Sequence, residues 1–131
     1  MTKQFNILLI VTDEQRISEV GAYGETPCIT PNLDKLASQS RVYKNTYTSC
    51  PLCSPARGSV LTGQYPHSHG VTSNTADIGC NVSELNDSPR LLPRLLSTAG
   101  YSCGFNGKWH LGTYDGNCFG SSRKAAVPSH F

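Results

Sequence analysis

Residues 5–11, FNILLIV, constrain the fold of this chain more than any other segment. They form a continuous apolar run with β-branched residues at its end. Such a run is typical of a strand that is covered on both faces, as in parallel sheets. Because helix-like and strand-like segments alternate after it, the sequence predicts an α/β fold with a mainly parallel sheet flanked by helices. Asp13 and Glu14 follow the run directly, at the strand end where such sheets bind ligands.

Start and stop signals predict three helices in the remainder of the chain. The residues that mark them are Thr30 with Pro31, Ser54 with Pro55 and Gly63, and Pro93 with Gly100. Residues 41–48 and 101–107 have the composition of strands, and residues 72–88 have that of a loop. No repeat or linker divides the chain, so we expect residues 1–131 to belong to one domain.

Composition excludes several classes of function. A net charge of +2 gives no case for binding nucleic acid or an anionic membrane, and no apolar run reaches the roughly 20 residues of a membrane span. The apolar segment near Met1 is short, is interrupted by Asn6 and lacks a cleavage site, so we expect a cytoplasmic protein. The cysteines are then expected to be reduced and mostly buried. By the same reasoning, the glycosylation motif at Asn81 is a chance match.

Cys53 lies just ahead of the predicted start of the second helix, within TSCPLCSPAR. The positive end of a helix and its N–H groups stabilise an anion, and Arg57, one turn later, adds a cation able to bind an oxyanion. A redox Cys-x-x-Cys pair would place Cys50, not Cys53, at the helix start. A zinc site would need a second pair of cysteines, and the other four are scattered singly. Spacing alone favours a structural thiol over a catalytic one.

Four segments together resemble the type I, formylglycine-dependent sulfatases of the alkaline-phosphatase-like superfamily. CSPAR followed by GSVLTGQYPHSHG resembles their C-x-P-x-R signature with its following Thr-Gly. NILLIVTDEQR resembles their opening strand and metal-binding acids, TPNLDKLASQS their first helix, and AGYSCGFNGKWHLG their Gly-Lys-Trp-His-Leu-Gly element. The segments occur in the family's order across residues 5–112. The resemblance implies the N-terminal portion of a sulfatase catalytic domain.

This resemblance implies a chemistry for the region around Cys53. A separate maturation enzyme would oxidise Cys53 to Cα-formylglycine, whose hydrate offers one hydroxyl to attack the sulfur of a small-molecule sulfate ester. The second hydroxyl would then expel sulfate. Arg57 would stabilise the hydrate, Lys108 would contact the sulfate group, and His110 would lie near the hydrate and the ester oxygen.

The resemblance also implies a divalent metal, Ca²⁺ or Mg²⁺. Asp13 matches the family's first metal-binding acid, and Glu14 stands where members commonly have Asp, Gln or Asn. The residue made from Cys53 would be a third ligand. Such a cation suits oxygen ligands and would act as a Lewis acid on the sulfate.

Spacing adds an expectation for the histidines and for Trp109. In a strand-like segment Lys108 and His110 would share one face, and Trp109 would point the other way, into packing. His67 and His69, two residues apart with no third ligand in view, are expected to be structural.

The chain also departs from the family. Its members are several-fold longer, and their further metal and sulfate ligands lie downstream, so we expect a truncated portion that is inactive and at best marginally stable alone. A phosphonate monoester or phosphodiester hydrolase of the same superfamily remains an alternative. A noncatalytic truncated copy is another.

Overall fold

The computed structural model describes residues 4–75 and 77–112. Regular structure in these residues is helical and consists of α1 (Pro31–Ser38), α2 (Cys53–Thr62), α3 (Pro66–His69) and α4 (Leu92–Thr98), with 3₁₀ turns at Ile17–Glu19 and Gly21–Tyr23. The described residues fall into two compact units that divide between Thr46 and Tyr47. None of the helices described is long and apolar enough to cross a membrane.

The three segments predicted as strands have no regular secondary structure in the described part of the chain. In residues 5–11 every apolar side chain is exposed, by 54% to 82%. A strand needs neighbouring strands to bond its N–H and C=O groups, and the first unit offers none among its described residues. The mainly parallel sheet therefore stays a prediction.

In the first unit, helix α1 begins as predicted, with Thr30 as its N-cap and Pro31 in its first turn. The Thr30 hydroxyl accepts the Gly21 N–H at 2.9 Å and donates to the Asp34 carboxylate at 3.1 Å. A Cβ atom at Gly21 would come within 2.8 Å of that carboxylate. These contacts hold the second 3₁₀ turn against α1.

The second unit contains a small apolar core around Trp109. Trp109, Val71 and Leu111 are buried together, and Leu61, Val82 and Leu85 pack around them. Phe105 meets the indole edge-on, with ring centroids 5.3 Å apart. The expectation that Trp109 points into packing is confirmed, and this core holds residues 107–112 in the same unit as helix α2.

Helix α2 begins two residues earlier than predicted. Leu52 is its N-cap, so Cys53 occupies the first helical position and Ser54 lies inside the first turn. The predicted role of Ser54 as the N-cap is therefore wrong. The helix ends as predicted at Gly63, which adopts a left-handed conformation with φ 65°.

Two other helices lie in this unit. Helix α4 matches the prediction to within one residue at each end, and Gly100 has the positive φ expected after a helix. The single-turn helix α3 was not predicted; Pro66 starts it and Gly70, with φ 86°, ends it. The loop predicted over residues 72–88 is confirmed for its described residues, which contain no helix or strand.

The cysteines are less buried than expected. The described ones carry free thiols, with Cys28 exposed and the other four partly exposed. Few residues of either unit are fully buried, and so small a core offers little space for thiols. Cys118 lies outside the described residues.

Candidate active site

The thiol of Cys53 lies beside the ammonium group of Lys108. Lys108 Nζ donates to Cys53 Sγ over 3.5 Å, although the two residues are 55 positions apart. Cys53 is partly exposed and Lys108 is exposed, so solvent and small molecules reach both groups. The fold thus brings together two of the residues that the sequence predicted for one site.

Arg57 connects this pair to helix α2. Its Nη1 donates to the Lys108 carbonyl at 2.7 Å, which holds the Lys108 backbone against the helix one turn after Cys53. The first turn of α2 contains no acidic residue. Lys108 and Arg57 thus place two positive charges near the start of α2, and no acidic side chain in its first turn offsets them. This arrangement favours a bound anion.

Ser54 joins the start of helix α2 to the His110 backbone. Its side chain is completely buried, and its hydroxyl donates to the His110 carbonyl at 2.6 Å while accepting the Thr75 N–H at 3.2 Å. The Thr75 hydroxyl donates to the same His110 carbonyl at 3.3 Å. Ser54 therefore acts as a buried link between three segments rather than as a helix cap.

His110 does not have the strand geometry predicted for it. Its φ is 52°, in the left-handed region, and residues 108–110 form no strand. The alternation that was expected to put Lys108 and His110 on one face therefore does not apply. Trp109, between them, is anchored in the core. The Ser54 hydroxyl fixes the His110 backbone against the residue that follows Cys53.

Asn74 also contacts the start of helix α2, and sequence reasoning missed it. The Ser54 N–H donates to Asn74 Oδ1 at 3.1 Å. This contact takes the place of an N-cap side chain, which Leu52 cannot provide. Asn74 lies 20 residues away in a polar loop where no local pattern marks it, so only the tertiary structure could reveal it.

His69 has a structural position, as the sequence predicted. Its ring is 8% exposed; Nδ1 accepts the Val71 N–H at 3.2 Å, and Nε2 lies 3.2 Å from Ser59 Oγ. Burial lowers the pKa of His69, and a hydrogen bond to the Pro55 backbone opposes this shift only in part. His67 is exposed and not part of this network.

Asp13 and Glu14 belong to the first unit, where they form an exposed bend after the apolar segment. Glu14 adopts φ 54°, which turns the chain sharply after residues 5–11. Two adjacent carboxylates are suitable donors for Ca²⁺ or Mg²⁺, but Ca²⁺ takes six to eight oxygens. The described residues contain no cluster of three or more His, Cys, Asp or Glu that could hold a metal. A metal held by Asp13, Glu14 and Cys53 therefore stays a prediction.

A thiol and two cations at the start of a helix suit the binding of an anion, and comparison with known proteins identifies the family of this chain. The Sulfatase family model matches residues 5–125. The match covers most of the chain, which therefore belongs to the sulfatase family. This confirms the resemblance that the four sequence motifs indicated.

Relatives that are named for their activities extend this finding. Human N-acetylgalactosamine-6-sulfatase is 41% identical over 113 residues, which are 82% of this chain and 22% of that protein. Bacteroides thetaiotaomicron N-acetylglucosamine-6-O-sulfatase is 34% identical over 110 residues, 84% of this chain and 18% of that protein. The solved structure of BT1596, a 2-O GAG sulfatase, is similar with a TM-score of 0.67 at 31% identity, covering 79% of this chain and 22% of that one. The chain spans about a fifth of the length of these relatives.

Proposed function

We propose that the protein carrying this chain hydrolyses sulfate esters with a nucleophile made from Cys53. The observation that carries the proposal is the 3.5 Å contact between Lys108 Nζ and Cys53 Sγ at the positive end of helix α2. Membership of the sulfatase family supports the same chemistry. A structural thiol would be expected in the apolar core, whereas Cys53 is partly exposed and contacts an ammonium group.

The residues around Cys53 have separate roles in this proposal. Lys108 and Arg57 balance the negative charge of the sulfate oxygens and of the ionised nucleophile. His110 gives a proton to the ester oxygen as it leaves. Oxidation of Cys53 to formylglycine by a maturation enzyme would supply a hydrated aldehyde as the nucleophile.

Asp13 and Glu14 would hold Ca²⁺ or Mg²⁺, with residue 53 as a further ligand. The donor chemistry fits a hard cation, although these residues supply fewer oxygens than such an ion needs. The metal, when bound, would supply Lewis acidity toward the sulfate. Because its coordination depends on residues beyond those named here, we propose that the 131-residue chain is inactive by itself.

We also propose which part of a catalytic domain this chain forms and which class of sulfate ester the protein hydrolyses. Residues 1–131 would form the N-terminal portion of a sulfatase catalytic domain, and residues 5–11 would become a strand of its mainly parallel sheet. The exposure of their apolar side chains supports this arrangement. Two of the relatives are sulfatases of N-acetylated amino sugars, so a sulfated sugar is the proposed substrate. The cytoplasmic location is likewise a proposal.

The first test measures hydrolysis by the full-length protein, produced together with a formylglycine-generating enzyme. We expect turnover of 4-nitrophenyl sulfate that Cys53→Ala abolishes and Cys50→Ala, the matched control three residues away, retains. Turnover that survives Cys53→Ala would refute the assignment. A higher rate on a matched aryl phosphonate than on the sulfate would favour the phosphonate hydrolase.

The second test follows the modification itself. The tryptic peptide of residues 45–57, NTYTSCPLCSPAR, contains both cysteines. A mass that shows an aldehyde at Cys53 and an alkylated Cys50 would support the proposed nucleophile. Two intact thiols after coexpression would contradict it, and a disulfide between Cys50 and Cys53 would indicate redox chemistry instead.

A further inference from the structure

We infer that Asn74 is a positioning residue for Cys53, and that its neutrality is part of its role. Its amide oxygen caps helix α2 in place of the Leu52 side chain, without placing a negative charge beside the reactive position. The inference rests on the proposed function in taking Cys53 as that position. Neither the family signature nor the local sequence assigns a role to Asn74.

The cap acts one residue after Cys53. The Ser54 N–H, one of the terminal N–H groups that the helix itself cannot bond, donates to Asn74 Oδ1 at 3.1 Å. The next residue, Thr75, donates its N–H to the Ser54 hydroxyl. Residues 74 and 75 thus fix both the backbone and the side chain of Ser54, and Cys53 directly precedes it.

Asn81 holds the loop that presents this cap. Its Oδ1 accepts the Thr72 N–H at 3.1 Å and the Ser73 hydroxyl at 3.0 Å, while its Nδ2 donates to the Gly70 carbonyl. The Asn81 N–H returns a bond to the Ser73 hydroxyl at 3.1 Å. With residues 70–73 tied in this way, Asn74 reaches the helix from a fixed loop.

The cap of helix α2 is electrically neutral. A carboxylate is among the favoured caps, because it compensates the positive end of the helix dipole. Here the acceptor for the Ser54 N–H is the neutral amide oxygen of Asn74, and the Ser54 hydroxyl bonds the His110 carbonyl and the Thr75 N–H. The charged side chain at Cys53 is the Lys108 ammonium. The positive potential is therefore left available to an anion at position 53.

The test compares Asn74→Asp, Asn74→Ala and a matched control, Asn86→Asp, in the full-length protein produced without the maturation enzyme. Asn86 is exposed, lies in the same unit and is not one of the residues that bond Ser54, so its replacement adds the same charge without replacing the cap. The readouts are melting temperature and the rates at which iodoacetate and iodoacetamide alkylate Cys53, located by mass spectrometry. The ratio of the two rates cancels any change in thiolate fraction, because both reagents attack the thiolate. It therefore reports the potential that an approaching anion meets.

We expect Asn74→Asp to melt at or above the wild-type temperature, because the carboxylate still accepts the Ser54 N–H. Its iodoacetate-to-iodoacetamide ratio should fall about fivefold, the order expected for a unit charge near a thiolate at a protein surface. Asn86→Asp should leave the ratio unchanged, and Asn74→Ala should lower the melting temperature. In protein that carries the converted residue, Asn74→Asp should raise KM for 4-nitrophenyl sulfate more than it lowers kcat.

Three results would overturn the inference. These are an Asn74→Asp ratio equal to that of Asn86→Asp, an Asn74→Asp protein that does not fold, and an Asn74→Ala protein with wild-type melting and alkylation. Alkylation needs no hydrolysis, so the two proposals fail separately. A lowered ratio in a protein with no sulfatase activity refutes the proposed function alone, and an unchanged ratio in an active sulfatase refutes the role of Asn74 alone.

Discussion

Helix α2 passes so close to the ring of His69 that position 58 has room only for glycine. A Cβ atom at Gly58 would lie 2.7 Å from His69 Cε1 and 3.1 Å from both ring nitrogens. Because the ring is buried and bonded at both nitrogens, it cannot move aside without breaking those bonds. We predict that Gly58→Ala lowers the free energy of unfolding by about 1–3 kcal/mol, the usual result of overpacking a core. Urea denaturation would measure this loss.

Gly104→Ala is the matched control for that substitution. A Cβ atom at Gly104 would meet no heavy atom within 4 Å, and its φ is not in the left-handed region. Alanine there should be neutral or slightly stabilising, because it restricts the unfolded chain. Equal stability of the two variants would show that the ring of His69 does not fill the space beside Gly58.

Burial of His69 also predicts a dependence of stability on pH. Its pKa is lowered in the folded state, chiefly by burial, so the unfolded chain binds the proton more readily. The stability that the neutral ring contributes is complete above the unfolded pKa of about 6.5 and is lost as the pH falls toward the lowered folded pKa. We predict that the free energy of unfolding falls more steeply between pH 7 and 5 in the wild type than in His69→Gln.

His67→Gln is the control for this measurement, because His67 is exposed and two residues away. It should keep the pH profile of the wild type, apart from the small charge effect that His67 exerts on His69. The role of His69 would be contradicted if His69→Gln retained the full pH dependence and His67→Gln lost it.

Between elements, Ser54 is a buried connection of helix α2 to residues 108–111. Its hydroxyl contacts the His110 carbonyl and the Thr75 N–H, and water does not reach it. Alanine at this position would leave the buried Thr75 N–H without this partner. We predict that Ser54→Ala lowers the free energy of unfolding by about 1–3 kcal/mol. Ser102→Ala, at an exposed serine, should change it by less than about 0.5 kcal/mol, and similar losses in both variants would contradict the link.

The helices could be predicted because their signals are local. Thr30 with Pro31, Gly63 and Gly100 each mark a helix end through residues close in sequence. The start of α2 was predicted wrongly because a local signal was used where a distant residue provides the cap. Ser54 looks like a local cap, but its hydroxyl is taken by His110, and the cap comes from Asn74. No rule based on neighbouring residues anticipates a cap from 20 positions away.

At the scale of the whole molecule, motifs that resemble a family assign distant residues to one site, which local patterns cannot do. The motifs named Cys53 and Lys108 for one site, and the structure places their side chains in contact. The metal ligands and the sheet depend on distant partners. Ca²⁺ needs more oxygens than Asp13 and Glu14 supply, and a strand needs neighbours. Apolar patterning shows that residues 5–11 should be buried, but it does not say which segments bury them.

If residues 5–11 are covered only in the full-length protein, one substitution there should have opposite effects in the 131-residue polypeptide and in the full-length protein. Leu8 is 82% exposed within an apolar segment, so the 131-residue polypeptide should self-associate through it. Leu8→Lys should therefore reduce association of that polypeptide in sedimentation velocity. In the full-length protein, where we propose that residues 5–11 form a covered strand, the same lysine would bury a charge. There it should lower the free energy of unfolding by about 3 kcal/mol or more.

Ile29→Lys separates this effect from a general gain in solubility. Ile29 is 93% exposed but lies outside the apolar run, so lysine there should change association of the 131-residue polypeptide little. An equal reduction by both lysines would mean that added charge, and not residues 5–11, controls association. If the full-length protein tolerated Leu8→Lys without loss of stability, residues 5–11 would not be a strand covered on both faces. The mainly parallel sheet would then have to be built without its first predicted strand.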